Sequence, residues 1–188
     1  MILAAAAFVI GALVVGGVVA SRDPAPVASS ADAGTPSPIE ETPSPSTEPY
    51  VNERGGYSVG LPTGWRARGD GPATNLRGPD DEAAVSIGPL DAASLSSASR
   101  ALLRALREGY EDVEVASRNR QEVAGASARA VAGTAVNRQG ARLRFLVIAV
   151  RGEGRYFGIN VFAPESSDPA QVLPAVQTIV STFEIARS

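Results

Sequence analysis

The stretch RLRFLVIAVR, residues 142–151, decides the fold that the sequence predicts. From Phe145 to Val150 every side chain is apolar, so both faces of an extended strand would need cover, which is typical of an interior strand. Gly152-Glu153-Gly154 follows as a turn, and residues 156–162 follow the turn as a return strand. The sequence therefore predicts a hairpin at the centre of an antiparallel sheet.

Two amphipathic helices are predicted, one before and one after this hairpin. Asp91 is a candidate N-cap and Gly109 a candidate C-terminal stop for the first helix. Its apolar residues recur at spacings of three and four: Leu95, Ala98, Leu102, Leu106 and Tyr110. Asp168-Pro169 opens the second helix, and Pro174 is expected to delay its start because the ring clashes with the preceding turn.

Further strands are predicted on both sides of the first helix. Tyr57, Val59 and Leu61 alternate with small residues, and a turn at Thr63-Gly64 is expected to return the chain as a hairpin strand from Trp65. Residues 113–121 and 128–138 also have strand patterns, separated by a break at Gly125. The order of elements predicts an α+β domain, with an antiparallel β-sheet and helices packed on both faces.

The stretch from Gly56 to Trp65, GYSVGLPTGW, resembles the opening of the PsbP-like family. That family includes the oxygen-evolving-complex subunit and actinobacterial LpqN-type envelope proteins, and its order of elements is similar to residues 50–188 of this chain. The resemblance implies an α-β-α sandwich and a non-enzymatic accessory, scaffold or binding role, often secreted or anchored. The family supplies no catalytic residues to carry over, and this chain lacks the lipobox Cys of the lipoprotein members.

The N-terminal part of the chain differs from the rest in composition. Residues 2–20 are apolar or Gly throughout, and as a helix they would extend about 28 Å, enough to span a bilayer. Residues 21–49 contain half of the prolines and are predicted to be a disordered Pro/Ser/Thr-rich linker. We therefore expect a transmembrane anchor, a linker and a domain at 50–188 outside the cytoplasm. A cleaved signal peptide, and hence a secreted protein, is the alternative.

Composition excludes much of the usual catalytic chemistry. The 188 residues include no Cys, His or Lys, and all 17 basic residues are Arg. This excludes Cys/His zinc sites, thiolate nucleophiles, Ser-His-Asp triads and Schiff bases. Carboxylate chemistry and cation binding by oxygen ligands stay possible, and no catalytic, metal-binding or cofactor-binding residue is predicted. The linker carries a net charge of minus four and the rest of the chain plus one. No nucleic-acid partner is expected from such a nearly neutral domain.

Four arginines are candidate contacts for a partner or ligand. Arg142 and Arg144 share one strand face, and with Arg151 and Arg155 across the hairpin they are interpreted as an anion-binding patch for lipid headgroups or an acidic partner. The sequence thus predicts a non-catalytic, membrane-tethered binding domain whose partner is an envelope protein or a small amphipathic ligand.

Two other functions stay open at this point. A lipid or small-molecule carrier would need an apolar cavity of several hundred cubic ångströms between sheet and helix. A carboxylate-dependent hydrolase would need two acids that converge across a cleft, and the candidates are Glu111, Asp112, Glu114 and Glu122.

Overall fold

The structure is a computed structural model that describes residues 47–186. The predicted anchor at 2–20 and the linker as far as residue 46 lie outside the described residues. Within 47–186 no helix is long and apolar enough to cross a membrane. The first strand begins at Thr47, so the last three residues of the predicted linker belong to it.

The described residues form two α-helices and ten strands, with a 3-10 turn at Pro79–Asp81 before β5. In chain order the elements are β1 Thr47–Asn52, β2 Tyr57–Pro62, β3 Arg66–Arg68, β4 Thr74–Arg77, β5 Ala84–Leu90, α1 Leu95–Gly109, β6 Glu111–Val123, β7 Ala126–Val136, β8 Arg142–Gly152, β9 Arg155–Pro164, α2 Pro169–Ser181 and β10 Glu184–Ile185.

The strands form two antiparallel sheets. The larger sheet has the order β3-β4-β5-β9-β8-β7-β6 and the smaller has the order β1-β2-β10. The predicted central hairpin is confirmed, since β8 and β9 pair from Leu143 opposite Pro164 to Gly152 opposite Arg155. Glu153 and Gly154 form the two-residue turn with φ values of 52° and 76°, the left-handed pair that matches the twist of a hairpin.

The α1 helix connects two parallel strands that are not neighbours. Because β5, β9, β8, β7 and β6 pair antiparallel in succession, β5 and β6 run in the same direction. The helix crosses one face of the strands between them. It begins after Ser94, whose Oγ accepts a hydrogen bond from the Ser97 N–H at 3.1 Å, so the prediction of Asp91 as the N-cap is wrong by three residues.

Both faces of the larger sheet are covered, as the apolar β8 sequence predicts. On one face, Phe145, Val147 and Ala149 of β8 pack against α1, chiefly against Leu102, Leu103 and Leu106. On the other face, Ile148 and Val150 pack in a core that includes residues from α2 and the smaller sheet: Val172, Val176, Ile179, Phe183, Tyr57 and Val59. The α+β class is therefore confirmed, and the second face is shared between a helix and a second sheet.

Two local predictions are wrong. The β2 strand does not form a hairpin with residues that follow Trp65; instead it pairs with β1 on one side and β10 on the other. The α2 helix begins at Pro169 and includes Pro174, so this proline does not delay the start. The Asp168 side chain caps α2 by accepting a hydrogen bond from the Ala170 N–H at 2.9 Å.

Candidate functional site

The four arginines predicted as one patch lie at two ends of the β8–β9 hairpin. Arg142 and Arg144 lie at the start of β8, whereas Arg151 and Arg155 lie beside the turn at its other end. At a strand rise of about 3.4 Å per residue, Arg144 and Arg151 are about 24 Å apart. The structure therefore does not bring these residues together.

Arg142 and Arg144 hold the loop that follows β9. The Arg142 Nε lies 3.7 Å from a carboxylate oxygen of Glu165. The Arg144 Nη2 donates to the carbonyl oxygens of Glu165, at 2.8 Å, and Ser167. Both arginines thus contribute to the position of the segment that leads into α2.

Arg155 holds the end of the described chain. Its Nη2 donates to the carbonyl oxygen of Ala186 at 2.9 Å, and its Cζ lies 5.5 Å from the centroid of the Phe157 ring. Arg151, in contrast, is exposed and forms no ion pair with the described residues. Of the four predicted residues, Arg151 is the one whose guanidinium stays available to a partner.

Arg151 belongs to a different group of arginines, on the sheet face that α1 covers. Arg129 of β7 lies directly opposite Ala149 of β8, a residue packed against α1, and Arg151 is two positions beyond Ala149 on the same face. On β6, Arg120 lies opposite Arg129 and Arg118 lies opposite Val131. We call these four residues, Arg118, Arg120, Arg129 and Arg151, the arginine strip.

The arginine strip has no acidic partner in the part of the chain that the structure describes. The ion pairs within residues 47–186 are Arg77 with Asp81 and Arg142 with Glu165. The β-carbons of directly opposed residues in an antiparallel pair are about 5 Å apart, and like charges in such a pair are destabilising. Arg120 and Arg129 therefore repel one another, and an anion bound between them would remove that cost.

The sequence held a signal for this strip that the prediction did not use. Arg118 and Arg120 have the two-residue spacing of one strand face. The break at Gly125 is a two-residue turn, since Val123 lies opposite Ala126. A two-residue turn places Arg129 opposite Arg120, but Gly125 alone does not show how many residues the turn contains.

The carboxylates considered for hydrolysis do not converge. All four lie on β6, which is an edge strand, and all are exposed: Glu111, Asp112, Glu114 and Glu122. Along the strand Glu111 and Glu122 are about 37 Å apart at the usual rise. Among residues 47–186, no group of acidic residues is arranged to hold a metal ion.

The best-formed depressions of the described surface are open to solvent. One of about 380 Å³ lies between the loop at Asp91–Ala93 and the Arg100 side of α1, and one of about 370 Å³ lies along Val115–Arg118 of β6. Neither lies between a helix and a sheet, where a carrier would enclose an apolar ligand. The carrier alternative thus gains no support from these surfaces.

Comparisons with known proteins identify the fold. No protein-family model matches the sequence, and no curated protein sequence matches it. The solution structure of cyanobacterial PsbP (CyanoP) from Synechocystis sp. PCC 6803 has a TM-score of 0.55 at 14% identity, over 81% of this chain and 99% of that chain. LpqN of Mycobacterium tuberculosis, described as involved in cell envelope biogenesis, has a TM-score of 0.50 at 13% identity, over 80% and 90%. The chain has a PsbP-like fold.

A third solved structure with a similar fold is that of a Ran-binding protein. The Ran-binding protein Mog1p of Saccharomyces cerevisiae has a TM-score of 0.54 at 13% identity, over 76% of this chain and 96% of that chain. Identities this low establish the fold alone. The resemblance to PsbP-like proteins, based on residues 56–65 and the order of elements, is therefore confirmed for the fold.

Proposed function

We propose that this chain is a non-catalytic, membrane-tethered binding domain outside the cytoplasm, and that the arginine strip contacts an anionic partner. The observation that carries the proposal is the pair Arg120 and Arg129, which oppose one another directly on a rigid sheet without an acid in ion-pair distance. Local charge repulsion that lowers stability is characteristic of functional sites.

A binding role is supported by what surrounds the strip. The exposed carboxylates of β6 do not converge, and the surface depressions are shallow and open, so the geometry favours contact with an extended partner over chemistry on a small substrate. Similar folds in Mog1p, named as a Ran-binding protein, and in LpqN, described as involved in cell envelope biogenesis, agree with a binding or accessory role.

The proposed location rests on the sequence. Residues 2–20 have the length and composition of a bilayer span, and residues 21–49 have the composition of an extracytoplasmic stalk. Cell fractionation followed by N-terminal sequencing tests it: we expect an intact N terminus in the membrane fraction. A soluble form in the medium that begins near Ser21 would establish the secreted alternative.

The proposed contact is tested by crosslinking the full chain in its native envelope and comparing two double variants. Arg120→Gln with Arg129→Gln removes two charges from the strip, and we expect it to lose the crosslinked partner. Arg54→Gln with Arg138→Gln removes the same charge elsewhere and serves as the matched control. Equal yields from the wild type and both variants would contradict a role of the strip in binding.

A further inference from the structure

We propose that the whole sheet face on which α1 packs docks onto an anionic lipid surface. This inference rests on the proposed function, because it names the class of partner that the arginine strip contacts. Its basis is the distribution of charge over that face, which extends well beyond the strip.

A second group of arginines lies on the same face, at the other edge of the larger sheet. Arg77 of β4 lies opposite Ala84 of β5, and Ala84 lies opposite Phe162 of β9, which packs against the α1 core. Arg66 of β3 lies opposite Arg77, and Arg68 is two positions further along. Strand register thus places all three on the α1 side of the sheet, and all three are exposed.

The helix itself adds a third row of positive charge on this side of the sheet. Arg100, Arg104 and Arg107 are exposed and recur at the four- and three-residue spacings of one helix face. From β3 to β6 the seven strands cover about 29 Å at the usual spacing of 4.8 Å. Arginines are therefore present across the full width of the face.

Arginines outnumber acids on this face. The strand residues whose register places them on the α1 side include one acid, Glu122, and α1 includes one, Glu108. Asp91, in the loop before α1, lines the same depression as Arg100 and Arg104. Against them stand ten arginines: Arg66, Arg68, Arg77, Arg100, Arg104, Arg107, Arg118, Arg120, Arg129 and Arg151. One of these, Arg77, is paired with Asp81 of the 3-10 turn at 3.4 Å. The fold thus concentrates positive charge that the nearly neutral sequence total does not reveal.

The lack of apolar anchors on this face favours lipid over a folded protein. Within residues 47–186 the large hydrophobic residue that is exposed is Val51, at 62%, and it belongs to β1 of the smaller sheet. Interfaces between folded proteins depend on buried aromatic and apolar residues at their centre. A broad face that is rich in guanidinium groups matches an anionic lipid surface, where each basic residue contributes about 1 kcal/mol of attraction.

The test uses the absence of Cys from the chain. A single Cys at Ala101, exposed on α1, is labelled with a donor dye, and the full chain is reconstituted into vesicles that carry an acceptor on a small fraction of the headgroups. Val51→Cys, on the smaller sheet, serves as the matched label site. We expect strong energy transfer from the Ala101 site in vesicles with one-third phosphatidylglycerol, weak transfer in pure phosphatidylcholine, and little difference between lipids at the Val51 site.

Charge removal and salt should both reverse the docking. Since about 1 kcal/mol is about a five-fold change in affinity, Arg120→Gln with Arg129→Gln should lower the ratio of docked to undocked protein about thirty-fold. The Arg54→Gln with Arg138→Gln control should change it little. Molar salt should undock the wild type, because it shortens the screening length to about 3 Å. Thermal unfolding of each variant confirms that its fold is intact.

The results separate the two proposals. Energy transfer from Ala101 that is equal in both lipids, or that survives the strip variant, would overturn lipid docking. If docking fails but the strip variant still loses a crosslinked acidic protein in the native envelope, lipid is the wrong partner and the proposed function stands. If neither the vesicle nor the crosslinking experiment depends on the strip, both proposals are wrong.

Discussion

A buried polar network joins the two sheets at the level of single residues. Asn52, on β1, donates from Nδ2 to Thr74 Oγ1 on β4 at 2.7 Å. The Tyr57 hydroxyl, on β2, lies 2.8 Å from the same Thr74 oxygen and 3.0 Å from the carbonyl oxygen of Ile87. Because these groups are removed from water, each depends on the others for its hydrogen bonds.

Replacement of Thr74 by Val tests this network. The change keeps the shape of the side chain and removes the hydroxyl to which Asn52 and Tyr57 bond, so we expect the free energy of unfolding to fall by about 1–3 kcal/mol. Urea denaturation measures the loss. The control is Thr134→Val, a half-buried residue of β7 that lies outside this network. A similar effect at both positions would show that the network adds nothing.

Burial also gives the Tyr57 phenol a stability effect at alkaline pH. Removal from water raises its pKa above the ordinary 10.0, and this outweighs the opposing effect of the Thr74 and Asn52 hydrogen bonds. The folded state keeps a proton that the unfolded state loses near pH 10, so the stabilisation is complete below that pH and is lost as the pH rises through the folded pKa.

We therefore expect the free energy of unfolding of the wild type to decrease between about pH 9 and pH 11, where tyrosine ordinarily ionises. Tyr57→Phe should reduce this slope even though it lowers stability at neutral pH. Urea denaturation across this pH range gives both slopes. Parallel curves for the two proteins would show that other groups cause the loss of stability at alkaline pH. Tyr110 is one such group, because burial raises its pKa as well.

Residue patterns identified one of the four strip arginines, Arg151, but not the geometry of the strip. Arg151 was named because it lies near Arg155 across the turn of the predicted hairpin. Arg129 was missed because its position opposite Arg120 depends on strand register. Register can be derived from a single sequence only where the length of the connecting turn is recognised. Likewise, Asp91 and Ser94 both suit an N-cap, and the reciprocal hydrogen bonds of Ser94 with Ser97 decide between them.

At the level of elements, β6 approaches its neighbour closely at one glycine. A β-carbon at Gly133 would collide with the Glu114 carbonyl oxygen and would lie 2.9 Å from Phe145 Cζ. The register of β6 against β7 is irregular on both sides of Glu114, which is how the strand accommodates this contact. Gly133 thus allows the edge strand to stay paired above a large core side chain.

Gly133→Ala should therefore weaken the β6–β7 pairing. We expect a loss of about 1–3 kcal/mol in the free energy of unfolding, typical of an overpacked site, with faster amide exchange along β6. Gly109→Ala is the control, because a β-carbon at the end of α1 would meet nothing within 4 Å. The explanation fails if the two alanine variants unfold at the same denaturant concentration.

Sequence predicted the elements whose signals are local. The β8–β9 hairpin was recognised from a continuous apolar run and its turn, and the end of α1 from Gly109. The smaller sheet was not recognised, because β1 includes Pro49 within a Pro-rich region and β10 consists of only two residues. The pairing of β2 with β10 joins strands that are far apart in sequence, so no local signal identifies it.

At the level of the whole molecule, the last residues of the described chain complete the core. Phe183 is 1% exposed, and its ring centroid lies 5.8 Å from that of Tyr57 and 5.7 Å from that of Phe157. Immediately after it, β10 pairs with β2 and the Ala186 N–H donates to the Gly56 carbonyl oxygen at 3.0 Å. The two ends of residues 47–186 thus lie on either side of β2.

Truncation after Thr182 should consequently destabilise the entire domain. Loss of a buried phenylalanine side chain costs about 3–5 kcal/mol, a large part of the stability of a domain of this size. We expect the truncated chain to lose its cooperative thermal transition. Removal of residues 187–188 alone leaves these contacts in place and should have little effect. A sharp thermal transition in the chain truncated after Thr182 would show that the domain does not depend on Phe183 and β10.

The position of Phe183 and β10 also determines when the protein can fold during its synthesis. Tyr57 and Phe157 leave the ribosome before Phe183 does, so both emerge without the ring that completes their burial. The core of residues 47–186 can close only after Phe183 and β10 have emerged.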